Sequence, residues 1–164
     1  MLGALDTRLL YAMRTRFHGR AAEAVMRALG RAGEYGAVWL AIGLILALAE
    51  PDRRDAWLVA GALGPAAIVL NYAVKLLVRR PRPVLEGLPP LGGAPSSLSF
   101  PSAHSTASFA CAAAMTRIAP EAAMLYVLAA AIAIGRPYLG MHYPSDALAG
   151  ALLGTALGLL VPLP

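Results

Sequence analysis

Residues 56–83 read AWLVAGALGPAAIVLNYAVKLLVRRPRP. Up to Val78 the stretch is apolar or small, and its strongly polar members, Asn71 and Lys75, both lie towards its end. A helix over 56–78 reaches the roughly 20 residues that a bilayer span requires. Pro81 and Pro83 then stop it, with Arg79, Arg80 and Arg82 interspersed. The whole chain agrees with this reading. Its 164 residues are 59% hydrophobic and 14% charged, whereas a soluble domain carries about 25% charged residues. The expected fold is all-α, a polytopic transmembrane helix bundle.

Working outward, further candidate spans fall at 35–49, 102–118, 122–134 continuing towards Leu139, and 144–160. With 56–78 they make five. Residues 1–31 are too basic to cross a membrane. Leu2, Leu5, Leu9, Leu10, Met13 and Phe17 share one side with arginines between them, which predicts an amphipathic helix lying in the interface. A short solvent-exposed helix is the plainer alternative. No segment reads as a strand, no repeat is evident, no cleavable signal pattern is expected, and 1–164 reads as one domain. The single Cys111 excludes an internal disulfide and a cysteine metal cluster, and among alanines it reads as a small packing residue. Gly150, Gly154 and Gly158 recur every four residues, a spacing that lets helices approach closely. Packing within the chain is favoured over dimerisation, and the oligomeric state stays open.

Three polar clusters interrupt the apolar helices. The first holds Lys75, Arg79, Arg80 and Arg82; Lys75, Arg79 and Arg82 share one helical face while the helix lasts. A plain anchor of flanking positive charge fits the arginines, but Lys75 lies deeper, beside Asn71. The second, Pro101-Ser102-Ala103-His104, opens a helix, where free backbone amides and the dipole form an anion site. Ordinary capping by Ser99 or Ser102 is its bland reading. The third runs from Arg136 through His142 to Asp146. An arginine clamps phosphate, a histidine attacks or carries a proton, and an aspartate four residues on can accept the Nδ1–H of His142 and leave Nε2 free. A metal at this pair would lack further ligands nearby. Following the chain up and down through the spans, all three clusters fall on one membrane face. Ionisable groups there read as functional.

The ordered set Lys75-x6-Arg82-Pro83, Pro101-Ser102-Ala103-His104 and Arg136-x5-His142-x3-Asp146 resembles the tripartite signature of the type 2 phosphatidic acid phosphatase superfamily, which includes the vanadium haloperoxidases. The resemblance covers residues 75–146. It implies that His142 is the nucleophile and forms a phosphohistidine, that Asp146 orients it, and that His104 protonates the leaving alkoxide and later activates water. Lys75, Arg82, Arg136, Ser102 and the Ala103 amide would hold the phosphoryl oxygens, with no metal and no cofactor required. Two positions depart from the pattern: Ala103 stands where Gly is frequent, and Gly135 where Ser is frequent, which removes one hydroxyl from the expected phosphate contacts.

The resemblance implies a lipid phosphate as substrate, with membrane lipids as neighbours and no nucleic acid. The short Ala- and Arg-rich form is similar to small actinobacterial members, which makes decaprenylphosphoryl-5-phosphoribose the leading substrate. Undecaprenyl diphosphate, phosphatidylglycerol phosphate and phosphatidic acid are the alternatives. The loop 85–100 is expected to cover the site. Leaving aside Lys75, Arg82 and Arg136, the site face carries Arg8, Arg14, Arg16, Arg20, Arg27, Arg31, Arg79 and Arg80, against Arg53, Arg54 and Arg117 opposite. The positive-inside rule then places the site at the cytoplasmic face of a cell membrane. A non-enzymatic lipid carrier would use the same cations, but it would not require His142 paired to Asp146.

Overall fold

Helix α5 (Ala103–Ile118) is buried almost all round, because Ala107, Ala110, Cys111, Ala112, Ala113, Ala114 and Met115 give neighbours little to stand off from. Around it, in the computed structural model, pack α4 (Arg54–Val78), α6 (Leu125–Tyr138) and α7 (Pro144–Leu160), with α3 (Ala37–Ala49) laid against α4. Two N-terminal helices, α1 (Leu2–Thr15) and α2 (Arg20–Ala32), lie at the end where α6 finishes and α7 begins. The structure describes residues 2–92 and 97–164, and among these every regular element is helical. Residues 93–96 of the expected site cover, and the side chain of Leu2, lie outside the described residues.

The contact between α5 and α7 sets the register of the bundle. A methyl group built on Gly150, Gly154 or Gly158 would overlap the carbonyl of Ser102, Thr106 or Ala110 respectively. Both series advance by four in the same direction, so the two helices run parallel with backbones nearly touching, and their N-termini share one end. The glycine spacing therefore serves packing within the chain. On the opposite end Arg117 closes α7 by donating to the carbonyls of Gly158 (2.9 Å) and Val161 (2.8 Å).

The surface is apolar where the interior is small. Leu44, Ile45 and Leu48 on α3, Val69, Leu76 and Leu77 on α4, Val127 and Ile134 on α6, and Leu148, Leu152 and Leu159 on α7 are exposed. Large side chains outside and alanine and glycine inside suit a bundle solvated by lipid. By length and composition one helix, Pro51–Val78, can cross a membrane, and the pair Arg20–Ala32 and Glu34–Ala49, bent by 52°, passes the same test together. The five-span count thus exceeds what helix length alone establishes.

One expectation needs correction. Residues 1–31 form two helices, because Gly19 adopts an extended backbone (φ −160°, ψ 148°) at the start of α2. There His18 stacks on Tyr138, with ring centroids 5.0 Å apart, and the Gly19 N–H donates to the Tyr138 hydroxyl (3.2 Å). The inner face of α1 is mixed. Asp6, Leu10 and Arg14 are buried, while Leu5, Leu9 and Phe17 face outward, as an interfacial helix would present them.

Replacing Gly154 by Val forces α7 off α5. Overpacking of this kind costs about 1–3 kcal/mol, so Tm in detergent should fall clearly, while Leu152→Ala on the exposed face should leave it near wild type. An unchanged Tm for Gly154→Val would contradict the close contact.

Candidate active site

Asp146, in the first turn of α7, is fully buried and ionic partners surround it. Its Oδ1 accepts from Arg80 Nη1 (2.7 Å). Its Oδ2 accepts from the Ser99 hydroxyl and from the Tyr143 N–H (2.9 Å), and stands 3.6 Å from His142 Nδ1. Ser99 Oγ is itself 3.4 Å from His142 Nδ1. The expected Asp146–His142 pair is therefore present, with Ser99 sharing it. Ser99 does not cap α5; that is done by Ser102, whose Oγ accepts from the Ser105 N–H (3.4 Å).

On its other side His142 Nε2 faces Arg82 Nη1 at 3.2 Å, a contact in which the guanidinium donates and the ring nitrogen accepts. Arg82 is held by the carbonyls of Ser97 (2.7 Å) and Met141 (2.6 Å) and by the Ser97 hydroxyl (2.9 Å). Burial, then the positive charges of Arg82, Arg136 and Lys75, hold the His142 imidazole down to about 4, against the upward pull of the Asp146 bond. It is neutral at pH 7.

Lys75, buried near the end of α4, donates to the carbonyls of Leu98 (2.6 Å) and Ser99 (3.4 Å). One turn earlier Asn71 donates to Thr106 (2.8 Å) and ties α4 to α5. The start of α5 meets the start of α7 through the Ser102 N–H, which donates to the Asp146 carbonyl (3.0 Å). Ala103 is the first residue of α5, so its amide is among those with no partner inside the helix. Arg136, at the end of α6, is buried and its Nε has no partner. With His104 it lines a cavity of about 340 Å³, walled also by Gly30, Arg31, Glu34 and Met141.

The predicted residues thus gather at one end of the bundle, with one exception in the first cluster. Arg79 does not join Lys75 and Arg82. It ends α4 in the left-handed conformation (φ 53°), is exposed, and folds back onto the Leu76 carbonyl (3.0 Å). That reversal sends Arg80 inward and lets Arg82 reach the site from the loop.

Sequence reasoning missed three contributors. Arg80 bridges Asp146 and Asp6, with Nη2 2.7 Å from Asp6 Oδ2, and its guanidinium lies 4.0 Å over the Tyr143 ring. Asp6, on the inner face of α1, also accepts from the Ser145 N–H (3.0 Å) and hydroxyl. Ser99 completes the set. The one available signal was Asp6, the sole carboxylate in an otherwise basic first helix. Gly135 also reads differently in place. A side-chain carbon there would meet Met26 Sδ at 3.3 Å, so the missing side chain at this position lets α6 pack against α2.

The family model described as the PAP2 superfamily matches residues 55–163. The chain is 42% identical over 138 residues to decaprenylphosphoryl-5-phosphoribose phosphatase of Mycobacterium tuberculosis, covering 84% of this chain and 77% of that one. It is 31% identical over 128 residues to the undecaprenyl-diphosphatase BcrC of Bacillus subtilis, covering 77% and 65%. Among solved structures, the PAP2 type phosphatidylglycerolphosphate phosphatase of Bacillus subtilis superposes with a TM-score of 0.76 at 25% identity, over 97% of this chain and 83% of that one. With all three motif clusters meeting at one end of a helical bundle of that shape, the chain belongs to the PAP2 superfamily.

Proposed function

We propose that this chain is an integral-membrane lipid phosphatase, one domain throughout, that works through a phosphohistidine on His142. The observation that carries the reading is the buried line Arg82–His142–Ser99/Asp146, a neutral imidazole with its Nε2 lone pair beside a cation and its Nδ1 beside a carboxylate. The Nε2 lone pair attacks phosphorus and the P–O bond to the lipid or sugar breaks. Asp146 stabilises the charge that develops on the ring. Lys75, Arg82, Arg136, the Ser102 hydroxyl and the Ala103 amide receive the phosphoryl oxygens, so fixed dipoles and cations meet the charge of the transition state. His104 supplies the proton for the leaving oxygen. Its Nε2–H donates to the Gly30 carbonyl at 3.1 Å, so α2 fixes the ring, and the transferred proton leaves from Nδ1 of the imidazolium, which becomes neutral. Water, deprotonated by the same histidine, then cleaves the P–N bond and releases phosphate.

The relatives named for decaprenylphosphoryl-5-phosphoribose and undecaprenyl diphosphate favour a polyprenyl-linked phosphate as substrate, with the sugar phosphate first and phosphatidylglycerol phosphate as an alternative. The excess of arginine on the site side supports a multi-pass protein with its site at the cytoplasmic face.

Purified protein should release phosphate from a panel of these lipids with EDTA present, and His142→Ala should abolish release. No release, or equal release by the variant, would defeat the phosphatase reading. Loss of the acid–base group in His104→Ala should slow turnover by about 10²–10⁴-fold without ending it.

Because a depressed histidine pKa keeps the imidazole neutral to lower pH, kcat/KM should hold as pH falls through the ordinary value of 6.5 and be lost near 4. An acid limb at 6.5 would show that His142 is not so held.

Removing one charge-assisted bond to Asp146 costs about 1.5–3 kcal/mol, or about 10–100-fold in rate. Arg80→Ala and Asp6→Asn should therefore lower kcat with little change in KM, and Arg80→Lys should recover part of it. Raised KM at constant kcat would make Arg80 a substrate ligand instead.

Single cysteines at residues 85–92 test the topology, since the native Cys111 is fully buried. An impermeant thiol reagent should label them after permeabilisation and not in intact cells.

A further inference from the structure

Helix α2 approaches the site more closely than its surface arginines require. Its residues 27, 30 and 31 recur at helical spacing on one face, and with Glu34 just beyond the helix they line the cavity that holds Arg136 and His104. Gly30 makes the approach possible, because a side-chain carbon there would stand 3.1 Å from Arg136 Nη1. Gly33 does the same at His104, with 3.2 Å to Cδ2. The α2 backbone is therefore a wall of the phosphate cradle, and the next side chains on that wall stand at its mouth.

Those side chains carry charge that one phosphate does not use. Lys75, Arg82 and Arg136 already surround the expected position of the scissile group. Arg27 is paired with Glu23. Arg31, exposed, has no ion-pair partner among the described residues. Glu34 is the one carboxylate on the cavity wall, and its charge acts on Arg136. Arg31 is left as an unmatched guanidinium on the wall of the cavity that holds Arg136 and His104, and a guanidinium is the side chain best suited to phosphate oxygens.

We propose that Arg31, with Arg27 beside it, binds a second anionic group of the substrate, so that the site prefers lipids carrying another phosphate close to the scissile one. This rests on the lipid phosphatase reading above. A substrate with a terminal phosphate and a nearby phosphodiester or diphosphate fills both positions; a lipid monophosphate fills the inner one alone. The same chemistry could come from an anionic lipid headgroup of the bilayer, in which case Arg31 would be a membrane anchor.

The test compares phosphate release from phosphatidylglycerol phosphate and from phosphatidic acid, with matched acyl chains, in micelles of neutral detergent where only the substrate supplies a second phosphate. Arg31→Ala should lower the ratio of kcat/KM values, first substrate over second, by about tenfold, the scale of one charge-assisted contact. Arg31→Lys should lie between, and Arg8→Ala on α1 should keep the wild-type ratio. A ratio unchanged in Arg31→Ala, with release intact, overturns the subsite and leaves the phosphatase reading standing. An equal loss on both substrates that appears only when anionic lipid is added to the micelles also overturns it, in favour of the anchor. No release from either lipid by the wild-type protein would instead strike at the phosphatase reading.

Discussion

A carboxylate with no exposure to water, at the end of a bundle made of alanine and glycine, has to find its partners within the protein. Asp146 finds four of them in two connecting segments, the loop between α4 and α5 and the turn before α7. Arg80 comes from the loop after α4, Ser99 from the return of that loop, Tyr143 from the turn before α7, and His142 from four residues upstream. Each of these satisfies an oxygen of Asp146 or leans on it. Arg80 in turn needs Asp6, which brings α1 down onto the site. The charge balance around one buried aspartate thus holds together the loop, the reactive histidine and the first helix.

That arrangement depends on the parallel contact of α5 with α7. Glycines on α7 receive α5 carbonyls directly, so the two helix starts lie side by side, and the Ser102 N–H can reach the Asp146 carbonyl (3.0 Å). The free amides at the start of α5 and the Asp146 carboxylate are thereby brought to the same level. Small residues in the interior act on function through this proximity.

Helix α2 applies the same device at the mouth. Gly30 in α2 and Gly33 at its end let the backbone press against Arg136 and His104, and the Gly30 carbonyl accepts a hydrogen bond from the His104 Nε2–H. An N-terminal segment whose composition suggests only membrane attachment becomes part of the cradle. Position 135 belongs to this contact: the absence of a side chain there admits Met26 of α2.

Much was legible in the chain itself. The apolar runs and their punctuation by proline located α4, α5 and α7 to within a residue or two, because lipid-exposed helices must satisfy their own backbone and so announce their length in composition. The motifs from Lys75 to Arg82, Ser102 to His104 and Arg136 to Asp146 picked out residues that the fold brings to one end of the bundle. Tertiary structure alone decided which cation serves which role. Arg79 and Arg80 are adjacent and chemically identical, yet one left-handed residue turns the first to solvent and the second onto Asp146 and Asp6, a partner 74 residues away. Periodicity states which face of a helix is apolar; it carries no information about what a buried charge will meet, because that depends on segments brought together by packing.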